Sequence, residues 1–190
     1  DREVDRFLKV FPGDARVWSI RSFRHVQAGD VTAAWEAIQR ARELMPEETM
    51  FVGMELELVP RHLPPARAEA HLAGIYTQIE RGDANVDICI GFVGAAIQLA
   101  KKGRHREKLL RQALHTAIAG FRAADPWPNY RKIFRVFELS LQEMLAGRKP
   151  TVEILYRCGL GRFATAAEQA DPMAIVRSRM TSFRRLDAAA

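Results

Sequence analysis

One segment of the sequence, Ala15 to Pro46, has the pattern of two helices folded back on each other. Asp14 precedes the segment and is a natural cap for its first helix, and Gly29 with Asp30 supplies the turn between the two. After the turn, small and apolar residues recur at the spacing of one helical face: Ala34, Ala37, Ile38 and Ala41. Small side chains on one face let a second helix approach closely, so the segment predicts an antiparallel helix pair.

The rest of the chain shows the same apolar periodicity of 3.6 residues, and no segment alternates as a strand does. Connections that contain glycine or proline divide it into roughly eight to ten helices. Pro60 is expected to end the helix that starts near Glu47, because proline removes a helical hydrogen bond. We therefore predict an all-α fold with two regions, residues 1–59 and a helical region, 60–190, that packs on them.

Several side chains are expected in the core or at close helix contacts. The first helix places on one face Val4, Phe7, Leu8 and Phe11. The second helix offers as core positions Val17, Trp18, Ile20 and Phe23. The most apolar stretch, Val86 to Ala100, is shorter than the roughly 20 residues that span a membrane, so it predicts a buried core helix. Glycine costs about 1 kcal/mol against alanine inside a helix, so a packing role is indicated for the small residues of this stretch: Gly91, Gly94, Ala95 and Ala96.

The composition is ordinary for a globular protein, with 48% apolar and 27% charged residues. The net charge of +6 permits contact with nucleic acid, an anionic membrane or an acidic partner, and water-exposed arginine-rich helix faces explain it equally well. Cys89 and Cys158 fit free thiols in a reducing compartment, and no secretory signal is visible. We expect a soluble, cytoplasmic protein that forms part of a larger regulatory protein of bacterial type.

Residues 15–48 resemble one tetratricopeptide (TPR) repeat. The matching features are a tryptophan, a small residue, a turn glycine, three positions of the second helix and a final proline: Trp18, Ser22, Gly29, Ala34, Ile38, Ala41 and Pro46. Pro12 precedes Pro46 by about 34 residues, one repeat length, so the residues before Pro12 resemble the end of a preceding repeat. The chain departs from the family pattern at Arg21 and His25, where leucine and an aromatic residue are usual.

The resemblance implies antiparallel helix pairs stacked as a TPR-like alpha-solenoid or right-handed helical array, with divergent helices in the C-terminal part. It also implies a concave groove, lined by the first helix of each pair, that takes a peptide or partner protein. On this chain the exposed positions of that helix would bind the partner: Arg16, Arg21, Arg24 and His25. Arginine binds carboxylates through two parallel hydrogen bonds, yet a merely solvated helix surface explains these residues equally well.

A basic run follows the apolar stretch and consists of Lys101, Lys102, Arg104, Arg106, Lys108 and Arg111. It is a candidate site for an anion or a nucleic acid. Helix stability offers a second explanation, since cations at a helix C-terminus interact favourably with the helix dipole. No aromatic residue interleaves with the run, which argues against base stacking there.

No arrangement of residues in the sequence predicts catalysis. The five histidines include no pair spaced i, i+4, so we expect no metal site and no cofactor. The main hypothesis is a non-enzymatic scaffolding module that binds a peptide or partner protein through a helical-repeat groove. One alternative is a nucleic-acid-associated regulator that uses a basic surface. The other is an all-α ligand-sensing domain or enzyme with a pocket near Cys89 or Trp127.

Overall fold

The computed structural model describes residues 2–83, 85–101, 105–125, 127–161, 166, 170 and 172–173. Within these residues it contains nine α-helices and no β-strand, which confirms the predicted all-α class for this part of the chain. The helices are α1 (Arg2–Val10), α2 (Ala15–Ala28), α3 (Val31–Leu44), α4 (Thr49–His62), α5 (Pro65–Glu80), α6 (Val86–Ala100), α7 (Arg106–Ala123), α8 (Pro128–Leu145) and α9 (Glu153–Arg157).

The chain divides into two compact units, Asp1–Arg106 and Glu107–Ala190. In the first unit each helix from α1 to α6 packs on the next one in sequence, and α4 also packs extensively on α6. In the second unit α9 packs on α8, and the Arg131 guanidinium of α8 lies 4.5 Å from the ring centroid of Phe121 in α7. The predicted division into residues 1–59 and 60–190 stays a prediction, and both residues at that boundary lie within α4.

The helix pair that the sequence predicts is formed by α2 and α3. Gly29 ends α2 with φ +79°, a left-handed conformation that glycine adopts without steric cost. The Asp30 carboxylate then accepts the backbone N–H of Ala33 at 3.0 Å and caps α3. Across the pair, the Ser22 hydroxyl donates to the carbonyl oxygen of Ala34 at 2.8 Å. The predicted small face of α3 is at most 2% exposed at all four positions, so close approach of the two helices is confirmed.

The two central helices of the first unit, α4 and α6, touch through their backbones. A Cβ atom added at Gly91 would lie 2.5 Å from the carbonyl oxygen of Gly53, and one added at Gly53 would lie 2.7 Å from the carbonyl oxygen of Asp87. These distances are shorter than any van der Waals contact, so only glycine permits this packing. The predicted packing role is confirmed for Gly91, whereas a Cβ at Gly94 would meet no atom within 4 Å.

Burial of α6 agrees with the expectation for residues 86–100, since nearly all of its side chains are shielded from water. In the part of the chain that the structure describes, no helix combines the length and the apolar character needed to cross a membrane.

The expected end of the helix before Pro60 was wrong, because α4 continues through Pro60 to His62. Proline has no N–H, so it removes one helical hydrogen bond. Near the end of a helix, the other hydrogen bonds of the last turn still form. The Leu63 N–H donates to the carbonyl oxygen of Val59 at 3.0 Å beyond the proline. Burial of Leu58, Val59 and Pro60 favours the extra turn.

The core assignment of α1 and α2 was only partly correct. Val4 and Leu8 are buried, as expected for the inner face of α1. Phe7 and Phe11 are 57% and 53% exposed, and Ile20, expected in the core of α2, is 50% exposed. The buried positions of α2 are instead small: Ala15, Ser19 and Ser22.

A buried carboxylate links α3, α4 and α5. Glu55 of α4 is 3% exposed and forms an ion pair with Arg42 of α3. Its other oxygen, Oε1, accepts a hydrogen bond from Gln39 Nε2 at 3.0 Å and lies 3.9 Å from His71 Nε2 of α5. A buried charge without a partner is strongly destabilising, so the contacts of Glu55 with Arg42 and Gln39 fix α4 against α3.

We expect Gly91→Ala to destabilise the first unit and Gly94→Ala, in the same helix, to leave it unchanged or stabilise it. The added methyl group at residue 91 collides with the α4 backbone, which costs about 1–3 kcal/mol. At residue 94 it meets open space, and alanine gains up to about 1 kcal/mol in helix propensity. Urea unfolding of both variants measures the difference. Equal stabilities would contradict the α4–α6 contact.

A second matched pair of variants tests the buried carboxylate. Arg42→Met leaves Glu55 without its ion-pair partner, and we expect a loss of about 2–3 kcal/mol because a buried charge is uncompensated. Arg40→Met breaks the exposed pair with Glu43 at 2.8 Å on the same helix, which costs less than about 1 kcal/mol. Denaturant midpoints of the two variants give the comparison. Similar midpoints would show that Glu55 does not depend on Arg42.

Candidate functional site

The helix α2 carries the residues that the sequence proposes for partner binding. It contains three arginines and one histidine and no aspartate or glutamate. The carboxylate of Asp14 accepts the backbone N–H groups of Arg16 and Val17 at 2.9 and 3.4 Å, which confirms the predicted cap. The N-terminus of α2 is therefore capped, and the ionisable side chains of this helix are all basic.

Two of the four predicted residues, Arg21 and His25, are engaged within the protein. Both are half-buried. Arg21 Nη2 lies 3.7 Å from Asp5 Oδ1 of α1, and Arg21 Nε donates to His25 Nε2 at 3.4 Å. The same guanidinium lies 5.4 Å from the ring centroid of Trp18. The Arg21–Asp5 pair joins α1 to α2, while His25 and Trp18 contact Arg21 from within α2.

The other two predicted residues, Arg16 and Arg24, lie on the solvent-exposed face of α2. Ile20 is exposed between them, and the three residues are spaced four apart. At a rise of about 1.5 Å per residue, they form a row about 12 Å long. Arg16 makes no ion pair with any residue that the structure describes. We call Arg16, Ile20 and Arg24 the α2 row.

An open hollow of about 480 Å³ lies where α2 begins, next to the end of α3. Its lining, which defines the hollow, consists of Phe11, Gly13, Asp14, Ala15, Arg16 and Met45. Phe11 and Met45 are 53% and 40% exposed. The Phe11 N–H donates to the carbonyl oxygen of Phe7 at 2.7 Å, which places the two phenylalanines one helical turn apart. Arg16 belongs to both the hollow and the α2 row, so the two features form one surface.

Exposed apolar side chains form part of this surface. Among the described residues, eight large hydrophobic side chains are exposed, and three of them belong to the hollow or to the α2 row: Phe11, Ile20 and Met45. Single exposed hydrophobic residues are common on proteins, but a cluster rimmed by charged groups is typical of a binding surface.

The sequence contains a signal for the exposure of Ile20 that apolar periodicity alone overlooks. Ile20 is flanked by arginines four residues before and after it, which places it on the charged face of α2. No comparable signal in the sequence predicts that Met45 lines the hollow, because its position there depends on how the end of α3 meets the start of α2.

The basic run near residue 101 stays a prediction, and two of its members, Lys102 and Arg104, lie outside the described residues. Lys101, Arg106 and Lys108 are exposed. Arg111 donates to Glu107 Oε1 through Nε at 3.0 Å and Nη2 at 2.7 Å, so a carboxylate one turn away compensates its charge.

Neither cysteine has the properties of a catalytic nucleophile. Cys89 is fully buried in α6, and burial raises the pKa of its thiol to about 12. Burial also raises the pKa of the half-buried Cys158 thiol, against the opposing effect of Arg135 and Arg157. A raised pKa keeps a thiol protonated near neutral pH, and the thiolate is the reactive form.

The described residues contain no group of three or more histidine, cysteine, aspartate and glutamate side chains placed to hold a metal ion. Trp127, proposed from the sequence as a possible pocket residue, is 50% exposed. No protein-family model matches the sequence, and no curated protein or solved structure matches it significantly.

We expect Cys89 to react with a thiol reagent at about pH 8 only after the protein is unfolded, because its thiol is buried and protonated. Cys158 should react in the native protein more slowly than free cysteine. Time courses with Ellman's reagent on Cys89→Ala and Cys158→Ala, in native buffer and in guanidinium chloride, separate the two thiols. Rapid native labelling of Cys158→Ala would contradict the burial of Cys89.

Proposed function

We propose that this protein is a helical scaffolding module that holds a peptide or partner protein against the hollow and the α2 row. The TPR-like stacking of helix pairs and a cytoplasmic location belong to the same proposal. The observation that carries it is the group of exposed apolar side chains at the hollow, beside Arg16, which forms no ion pair with the residues that the structure describes.

Burial of this surface would supply binding energy. A large apolar side chain gains about 1.5–3 kcal/mol when it is fully buried. Phe11, Ile20 and Met45 are each between 40% and 53% exposed, so a partner would gain a part of that amount at each residue. Binding energy at interfaces is concentrated in a few such anchors, with a polar rim around them.

The proposed contact residues differ from those first derived from α2 alone. Arg16 and Arg24 remain, while Arg21 acts indirectly by pairing with Asp5 of α1, and His25 contacts Arg21. Phe11, Ile20 and Met45 are added because they form the apolar part of the surface. A nucleic-acid regulator acting through residues 101–111 receives less support, since Arg111 is already paired with Glu107.

The experiment compares proteins retained from a cell extract by the immobilised chain and by its Phe11→Ser, Ile20→Ser and Val10→Ser variants. Val10 is the matched control, because it is 64% exposed on α1 and does not line the hollow. The affinity of any retained protein is then measured with both components purified. We expect Phe11→Ser and Ile20→Ser to weaken binding by roughly tenfold or more.

Val10→Ser should bind as the unmodified chain does. Circular dichroism of each variant checks that the helices are intact. A partner whose affinity is the same for all three variants would contradict the placement of the site at the hollow.

A further inference from the structure

We infer that Thr151 is a phosphorylation site for a serine/threonine protein kinase that recognises basic residues before the acceptor. In the reaction, the bond between the γ-phosphorus of ATP and its bridging oxygen breaks, and a new bond forms to Thr151 Oγ1. ADP leaves, and the hydroxyl proton passes to a carboxylate of the kinase. Thr151 belongs to the second unit and the hollow to the first, so this modification is independent of the proposed function.

The hydroxyl group of Thr151 is accessible to another protein. Only three of the serines and threonines that the structure describes are exposed: Thr32, Thr77 and Thr151. Thr32 and Thr77 lie within α3 and α5, and the Thr77 hydroxyl donates to the carbonyl oxygen of Ala73 at 3.1 Å. Thr151 lies between α8 and α9, and its hydroxyl makes no hydrogen bond with any described residue. A kinase can therefore reach this hydroxyl without unfolding a helix.

The backbone before Thr151 is not helical. The helix α8 ends at Leu145 and α9 begins at Glu153, and residues 148–151 have no regular secondary structure. Pro150 restricts its own φ to about −65° and disfavours a helical conformation of the residue before it, Lys149. The sequence of this segment therefore keeps it out of a helix, in a loop that can enter the cleft of another protein.

Positive charge precedes the acceptor. Arg148 and Lys149 lie three and two residues before Thr151, and both are exposed. Kinases select their substrates partly by the pattern of charges around the acceptor. Two adjacent cations complement a kinase cleft that carries carboxylates, so the segment fits a kinase that recognises basic residues.

Ser19 shows that the spacing between arginine and hydroxyl is not sufficient for such a site. Arg16 precedes Ser19 by three residues as well, but Ser19 is buried in α2 and its hydroxyl donates to the carbonyl oxygen of Arg16 at 2.8 Å. Thr165 and Ser182 also follow an arginine by three residues, and they lie outside the described residues. Among the hydroxyl groups that the structure describes, only Thr151 combines this spacing with exposure.

Arg148 has an ion-pair partner that a kinase would have to replace. Its Nε and Nη2 atoms donate to the Glu143 carboxylate at 2.5 and 3.0 Å. Exposed ion pairs contribute little to stability, so the kinase can bind this guanidinium at a small cost. After the transfer, the phosphate adds about −1.5 to −2 charges, which offset those of Arg148 and Lys149. The phosphate also competes with Glu143 for Arg148, because guanidinium binds phosphate through the same planar fork.

The test incubates the full chain with ATP and the catalytic subunit of cyclic-AMP-dependent protein kinase, which requires basic residues before its acceptor. Tandem mass spectrometry locates the phosphate, and initial rates are measured for each variant. We expect phosphate at Thr151 and none at Ser19. Thr151→Val should abolish this phosphorylation, and Thr151→Ser should retain it because serine also supplies a hydroxyl.

Two further variants test how the kinase recognises the segment. Arg148→Gln should lower the rate at Thr151 by roughly tenfold or more, since a charge that the kinase binds is removed. Glu143→Gln should raise the rate about two- to fivefold, because it releases the Arg148 guanidinium. Arg122→Gln is the matched control, because Arg122 is an exposed arginine of the same unit, and it should leave the rate unchanged. Circular dichroism checks that each variant keeps its helices.

Three results would overturn the assignment of Thr151. The first is a chain that carries no phosphate at Thr151 after incubation with the kinase. The second is phosphate at Ser19, Thr165 or Ser182 in place of Thr151, which would show that another segment is the substrate. The third is an unchanged rate in Arg148→Gln, which would remove the recognition of basic residues. None of these results bears on binding at the hollow, so the proposed function can fail or hold separately.

Discussion

Close packing of two backbones at Gly53 and Gly91 determines the arrangement of the first unit. Because neither residue has a Cβ atom, α4 and α6 approach more closely than any other pair of residue types would allow. Both helices are therefore buried on most of their surface, and α3 and α5 pack against them. The buried ion pair of Glu55 and Arg42 then fixes α3 against α4.

The position of α3 in turn places the candidate site. The small face of α3 draws α2 close, and the antiparallel pairing brings the end of α3 to the start of α2. Met45 thereby reaches the hollow beside Phe11. Arg21 holds α1 on α2 through Asp5, which keeps the apolar end of α1 next to the same hollow. The side chain of α2 that contacts α1 and the side chains of the α2 row therefore lie on different faces of this helix.

Features that depend only on residues close together in the sequence were predicted correctly. The cap at Asp14 and the turn at Gly29 follow from local backbone preferences and hydrogen bonding, which the tertiary structure does not alter. Pro60 was misjudged because burial of α4 outweighed a local hydrogen-bond loss. Ile20 was misjudged because apolar character alone does not reveal which face of α2 meets α3.

The sequence by itself determined the helical class, the α2–α3 pair and the positive charge of α2, since each follows from residue types at fixed spacing. Only the tertiary structure decided which arginines face water and which one contacts α1. Arg21 and Arg24 point in different directions around the axis of α2, and the position of α1 determines that Arg21 is the one that meets it. The hollow likewise joins residues 11–16 to Met45, which lies about 30 residues further along the chain. Such a contact arises from folding, so no local pattern in the chain encodes it.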